Sequence, residues 1–431
     1  MSKRSAPEED GQPLTKRLRK DETSTPLEST LSYPSTSIPP KISPVPIQQP
    51  TSLLTFSYTP SRELVWDDSA MKYYVDPPPG AELSYGYERW VKKPEERGRI
   101  DSLLRAWSKA RMPGIGLVSW RGVMTKILTA PYEERDSWDL NVMCVNGTLY
   151  LEEHSSDARL KEKDDMNPRQ RMQTYYGYAF ESWCTSSSPD RPESLPGHRA
   201  GWGGDVDTNV QWCNVIKTKL GDVRMVIGGE VDCIRGRKDG KHDAFVELKT
   251  SLAIRDQRDE ARFEKKLLKF YFQSFLLGVP EIIVGFRTPS GRLTTIQTFK
   301  TVQLPRLVRG KPGAWDPQLC LDWGRRFLTF LKSTVQTDPN TPEENKRVWR
   351  VRFTPGKGVS VRLLDEEGVR DVEGGEERVG FLPNWFWEEE MGRKEGDKEE
   401  PRASEQGKRD EAEPPVKLDT TRTQLPLGWT I

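Results

Sequence analysis

Apolar positions between about residue 61 and residue 387 recur with two periods, and they predict helices and strands in mixed order. Ile100, Leu103, Leu104 and Trp107 fall at i, i+3, i+4 and i+7, so ERGRIDSLLRAWSKAR predicts an amphipathic helix ending before Pro113. DQRDEARFEKKLLKFYFQSFLLG carries Phe263, Leu267, Phe270 and Leu277 on one face and closes on Gly278 with Pro280 beyond, a helix with a normal stop. Trp323, Phe327, Phe330 and Leu331 mark another, and YYGYAFESWC, ambiguous by period, is taken as helical. Strand signals alternate with these. GLVSW runs into Arg121-Gly122, and DLNVMCVNGTLYLEE places apolar runs on both sides of Asn146-Gly147, a strong hairpin signal. VRMVIGGEVDCI and DAFVELKTS, joined by the polar RGRKDGKH, predict an antiparallel hairpin. EIIVGFR with RLTTIQTFKT, and VWRVRF with VSVRLL, predict two more. This order is not β-α-β alternation. It predicts an α/β (α+β) domain, a mixed β-sheet core flanked by helices, rather than a doubly wound parallel sheet.

Composition sets the limits of that domain. Residues 1–60 are rich in Pro and Ser and hold no Trp, and the stretch from 388 is dominated by charges, so neither end has the apolar content of a core. The expected organisation is a disordered tail over 1–60 with a flexible linker from Thr23 to Pro60, one catalytic domain over 61–387, and a charged, mostly disordered tail over 388–431. Lys3-Arg4 and Lys16-Arg17-Leu18-Arg19-Lys20 have the spacing of a two-part nuclear import signal, which predicts a nuclear location. Leu425 to Trp429 is a candidate docking element. With 66 Lys+Arg against 65 Asp+Glu, the chain is not a globally basic nucleic-acid coat. Five cysteines without a C-x-x-C pair and three histidines predict reduced thiols and no structural zinc. No apolar stretch reaches membrane-span length, so no membrane partner is expected. Phosphate-binding glycine loops and the G-x-S-x-G nucleophile turn are absent from the sequence, which removes the usual support for nucleotide-cofactor and serine-hydrolase chemistry.

The chemistry concentrates in one stretch. Glu230 and Asp232 are two apart in a predicted strand, Glu247 and Lys249 are two apart in its predicted partner, and Glu181 precedes them on YGYAFE. If the hairpin registers, three carboxylates and Lys249 share one sheet face with Glu181 as a fourth candidate, and one lysine does not offset the repulsion of four carboxylates. A divalent cation does, and Mg²⁺ or Mn²⁺ takes oxygen ligands and substrate phosphate. Lys249 would then hold or deprotonate the attacking water or neutralise charge on phosphate, and Gln273 would orient that water. Arg121 and Arg287, at strand ends, are candidate phosphate clamps. Deleting Asp232 or Glu247 is expected to relieve repulsion as well as to remove activity. Cross-strand ion pairing is the plain alternative for these residues, and the apolar flanks VIGG and AFV weigh against it.

At these residues the sequence resembles the DXO-like family of RNA 5′-end decapping nucleases, including fungal members that associate with the nuclear 5′→3′ exoribonuclease. SWRG, GYAFES, GGEVDC, VELKT, KFYFQSFLLGVP and GFR carry the resemblance, in family order. The resemblance implies a core related to the D-(D/E)-x-K nucleases, with Asp232 and Glu247 as direct metal ligands. Glu181 and Glu230 would bind directly or through water, and the Leu248 carbonyl would complete the shell. It implies substrates that spacing does not reveal: RNA ending in a 5′ triphosphate, an unmethylated or incomplete cap, or an NAD cap, with 5′→3′ degradation of the RNA body in some members. It also implies the exoribonuclease as a partner, stabilised by this chain. The alternative is a non-catalytic subunit that binds and activates the exoribonuclease. Trp202, Trp212 and the segment Trp385 to Trp387 are candidate anchors for that partner, with burial in the core as the more common reading of such residues.

Overall fold

The computed structural model of the protein describes residues 28–34, 43–189, 196–237, 244–336 and 341–396. Two mixed sheets with helices between and outside them carry the chain, in agreement with the expected class. Across the ten-stranded sheet the order is Ser29–Ser32, Gly358–Leu363, Trp349–Thr354, Trp138–Val145, Thr148–His154, Leu117–Trp120, Val223–Glu230, Gln211–Leu220, Thr51–Tyr58 and Leu64–Val65. Leu117–Trp120 runs parallel to both of its neighbours. The six-stranded sheet runs Leu293–Lys300, Glu281–Arg287, Phe245–Leu252, Cys233–Ile234, Tyr73–Tyr74 and Thr185–Ser186.

Three apolar layers hold these sheets. Helices Arg121–Thr129, Gln257–Leu277 and Pro317–Val335 pack between the sheets, where Met124, Ile127, Phe272 and Phe327 meet Leu140, Ile227, Ile282 and Val284. The outer face of the large sheet is closed by helix Asp101–Lys109 and by Phe386 of helix Asn384–Gly396. Helix Pro168–Cys184 covers the outer face of the small sheet through Tyr176, Phe180 and Trp183. It lies very close: a Cβ on Gly285 would stand 2.4 Å from the Phe180 ring, so only glycine lets the helix reach the strand.

The expected hairpin across Asn146-Gly147 forms, with both residues at positive φ, as a type I′ turn demands. The hairpins at 281–300 and 349–363 form as well. The one expected between VRMVIGGEVDCI and DAFVELKTS forms only at its turn end. Val223–Glu230 pairs with Gln211–Leu220 and Leu117–Trp120 in the large sheet; after Val231 and Asp232 the chain crosses to the small sheet, where only Cys233 and Ile234 pair with Val246 and Phe245. Glu230 and Asp232 therefore converge because the chain changes sheets between them, not because they share a strand face.

Two domain limits shift. The expected linker from Thr23 to Pro60 includes Ser29–Ser32 and Thr51–Tyr58, both in the large sheet, and Val45 is buried in the core. Leu54, Phe56 and Tyr58 alternate in LLTFSY, a strand period that the surrounding prolines and serines mask. At the other end, helix Asn384–Gly396 runs past 387 and buries Glu390, which pairs with Arg111. The import signal, most of the charged tail and Leu425 to Trp429 lie outside the described residues. All five cysteines are buried thiols, and no described helix is long and apolar enough to cross a membrane. Trp202, Trp212 and Phe386 are core residues, and Trp385 and Trp387 pack against the core, so burial accounts for the tryptophan-rich segments.

Candidate active site

The acid cluster forms where the chain leaves one sheet for the other. Glu230 ends its strand, and Val231 donates its N–H to the Trp212 carbonyl, which turns Asp232 toward the small sheet. Asp232 Oδ2 accepts the N–H of Leu248 at 2.6 Å, beyond the point where Cys233–Ile234 pairs with that strand. Glu247 and Lys249 come from Phe245–Leu252, and Glu181 from the last turn of Pro168–Cys184, brought near by the Gly285 contact. Arg121 is the first residue of helix Arg121–Thr129. Gly229 opposes it, and a Cβ there would meet the Arg121 Cβ at 3.0 Å.

Glu247 is fully buried and held by two cations. Arg121 Nη1 lies 2.9 Å from Oε2 and Lys249 Nζ lies 2.6 Å from Oε1. Burial works to raise its pKa, yet the guanidinium and the ammonium outweigh it and hold the carboxyl below the usual range. The other acids have no such support. Burial, with Asp232 and Glu230 nearby, pushes Glu181 well up. Burial and Glu247 push Asp232 up to about 7. Burial also raises Glu230, although the Gln211 amide donates to its Oε2 at 2.7 Å. Four carboxylates thus face two cations, a formal deficit of two positive charges.

These acids open onto a cavity of about 830 Å³ that Glu181, Glu230 and Asp232 help to line. Its walls carry Arg62, Lys93, Trp90, Trp120 and Tyr178, which sequence reasoning did not single out. The signal for some of them was present, since RWVKKPEERGR interleaves basic and aromatic residues. Arg62 had none; it enters through a turn at φ +64, and its Nη1 donates to Gln211 Oε1 at 2.8 Å and to the Asn209 carbonyl. Gln211 thereby links Arg62 to Glu230.

Two expected site residues stand apart. Gln273, half-buried on Gln257–Leu277, joins none of the cluster's hydrogen bonds. Arg287 is buried over the Tyr176 ring, 4.6 Å from its centroid, and donates to the Thr288 carbonyl rather than meeting the acids. The strand end that bears it faces helix Pro168–Cys184 one turn before Glu181, which is why spacing alone grouped it with the site. Among the described residues no three His, Cys, Asp or Glu side chains converge in a ready-made metal shell, since Glu247 is turned to Arg121 and Lys249.

Known proteins resemble this chain over most of its length. A family model described as RAI1 like PD-(D/E)XK nuclease matches residues 48–387. "Decapping nuclease RAI1" of Mycosarcoma maydis is 37% identical over 445 aligned positions, covering 79% of this chain and 87% of the relative. "Decapping and exoribonuclease protein" of Xenopus laevis is 34% identical, covering 78% and 85%. Among solved structures, Candida albicans Rai1 in complex with pU5-Mn2+ superimposes with a TM-score of 0.71 at 26% identity, over 85% of this chain and 99% of that one.

Proposed function

The chain belongs to the family of RAI1-like PD-(D/E)XK nucleases, and from that premise we propose that it is a divalent-metal-dependent hydrolase that removes aberrant 5′ ends from RNA. The observation that carries the reading is the uncompensated acid cluster lining a cavity whose walls also carry Arg62, Lys93 and aromatic side chains. Decapping nuclease activity follows from the relatives' names. The finer substrates proposed are 5′-triphosphate RNA, losing pyrophosphate, and RNA with an incomplete or NAD cap.

The donor set fits a hard divalent cation, because carboxylate oxygens in charge excess are the ligands Mg²⁺ and Mn²⁺ take. Asp232, Glu247, Glu181 and Glu230 would hold it. The Leu248 carbonyl would join them, since in an extended strand it projects to the same side as the N–H that reaches Asp232. Once bound, the ion supplies Lewis-acid charge for phosphate hydrolysis. The remaining work falls to protein groups. Burial acts to strip the proton from Lys249, but Glu247 and Asp232 outweigh it and keep the ammonium charged in the metal-free protein; Lys249 would hold the water and neutralise charge growing on phosphate. Arg121, which pairs with Glu247 here, would clamp phosphate. Gln273, outside the cluster's hydrogen bonds as it stands, would orient the water. Trp90, Trp120 and Tyr178 offer flat apolar surfaces to bases, and Arg62 and Lys93 offer charge to the backbone.

The test is a metal-dependent assay of purified protein on triphosphate-, cap- and NAD-ended RNAs. Release of pyrophosphate or of the cap in Mg²⁺ or Mn²⁺ and none in chelator is expected; inactivity on every end with either metal would sink the reading. The basic clusters at residues 3–20 support a nuclear location, and the fungal resemblance supports a nuclear exoribonuclease partner bound away from the cavity. Chains with and without residues 1–20 should differ in nuclear accumulation and both should co-purify the exoribonuclease. Equal accumulation rejects the signal, and absence of the partner from both rejects the association.

A further inference from the structure

The cavity holds a lysine that the mechanism above leaves idle. Lys72 precedes strand Tyr73–Tyr74, which pairs in parallel with Cys233–Ile234 on the side away from Phe245–Leu252. Its carbonyl accepts the Ile234 N–H at 2.9 Å, and Tyr73 is level with Ile234, so Lys72 is level with Cys233, one residue beyond Asp232. Lys249 flanks the Asp232 segment from one neighbouring strand and Lys72 flanks it from the other. The two lysines differ in one respect. Lys249 is ion-paired to Glu247, whereas Lys72, which lines the cavity, forms no ion pair among the described residues. Burial alone lowers its pKa. A desolvated ammonium with no counter-charge is costly unless an anion visits it.

The surroundings say which anion. Near Lys72 the wall is made of small polar groups: Thr185 pairs with Tyr74 in the next strand, and Ser182 lies one turn back on the helix that carries Glu181. The opposite arm, by Glu230, carries Arg62, Lys93 and Trp120, and Trp90 packs on Tyr178 one helical turn before Ser182. Aromatic planes suit bases, and a lone ammonium among hydroxyls suits phosphate. We propose that Lys72 is a binding residue for the phosphate groups on the leaving side of the scissile bond, so that the substrate lies across the acid cluster with its 5′ phosphates at Lys72 and its nucleosides in the aromatic arm. This rests on the hydrolase reading and deepens it by assigning the two arms of the cavity.

Inorganic pyrophosphate is the probe. Lys72→Met keeps the apolar stem and removes the charge; it should weaken inhibition by pyrophosphate and raise KM for triphosphate-ended RNA about tenfold each, the worth of one charge-assisted hydrogen bond. Under the same conditions the affinity for 5′-hydroxyl RNA should hold, and Lys72→Arg should restore most of the loss. Unchanged pyrophosphate inhibition would overturn the proposal, and so would an equal loss of affinity for 5′-hydroxyl RNA, which would place Lys72 on the RNA backbone. A wild-type protein that hydrolyses nothing would defeat the hydrolase reading instead, and calorimetric binding of pyrophosphate with metal to wild type and Lys72→Met would still decide the role of Lys72.

Discussion

Two buried glutamates on neighbouring parts of the molecule, Glu247 and Glu152, show that burial and a perturbed pKa do not by themselves mark a site. Glu152, on Thr148–His154, is 2% exposed; its Oε1 faces Arg99 Nη1 at 3.3 Å and its Oε2 accepts the Ile100 N–H at 3.1 Å. Burial raises it to about 7, against the pull of Arg99. Asp101 and Arg378 form a second pair alongside, and half-exposed Glu376 bonds both guanidinium groups, so Glu152 and Asp101 each have their own cation and the one extra negative charge sits at the surface. Arg99 also binds the Val372 and Glu373 carbonyls, which ties the segment before helix Asp101–Lys109 to the later helix Glu366–Glu373. Glu247 has better cationic support than Glu152, yet its neighbours Glu181, Glu230 and Asp232 carry the unmet charge, and they line the cavity. The charge left over at a cavity, more than the displacement of any one pKa, separates the candidate site from the scaffold.

The strongest way to break this comparison is to remove single acids from the cluster. Asp232→Asn and Glu247→Gln should each lower hydrolysis on the order of a thousandfold, because each removes charge that the site uses on phosphate. Their stabilities should diverge. Asp232→Asn relieves repulsion and can still accept the Leu248 N–H, so its metal-free Tm should hold or rise. Glu247→Gln leaves Arg121 and Lys249 without their shared counter-charge, a loss of about 3 to 5 kcal/mol. The sequence alone predicted relief of repulsion in both cases; the ion pairs on Glu247 reverse the sign there. Calorimetry in chelator checks it, and equal Tm changes for the two variants would show that the cluster's charges are not divided in this way.

What was legible in the sequence and what was not has a physical pattern. Local signals held. Gly278 at φ +72 closes its helix, Asn146-Gly147 turns its hairpin, and the helical face of Ile100 to Trp107 is buried. The carboxylates were named from two-residue spacings, and Asp232, Glu247 and Glu230 do meet, but by a change of sheet after Glu230 that no local period encodes. Strand Gln211–Leu220 escaped notice because QWCNVIKTKL mixes buried polar residues with apolar ones: Asn214 and Thr218 are buried, and Ser52 and the Gln48 carbonyl bond to them. Arg62, Lys72 and Gln211 reach the cavity only through long-range pairing. Arg287, expected as a clamp, had the right chemistry and lies on the far side of its strand end, where Tyr176 takes it.

Glu152 supplies the smaller and sharper test, since it has a perturbed carboxyl without a place in the cavity. Its folded pKa of about 7 lies above the ordinary value of 4.5, so between those two pH values the folded chain binds more protons than the unfolded one. The stability that Glu152 contributes is therefore fullest below about pH 4.5, falls as pH rises to about 7, and is level above that. At 1.36 kcal/mol per pKa unit the fall amounts to roughly 3 kcal/mol. Glu152→Gln removes the proton and keeps the acceptor for the Ile100 N–H, so the Tm of wild type minus that of the variant should decline from pH 4.5 to 7.5, while hydrolysis at one pH stays within about threefold, as for a change outside the transition-state contacts. The subtraction cancels every other titrating group. A difference that stays level over that range would mean that Arg99 keeps Glu152 ionised throughout, and a large loss of activity would place Glu152 in the site after all.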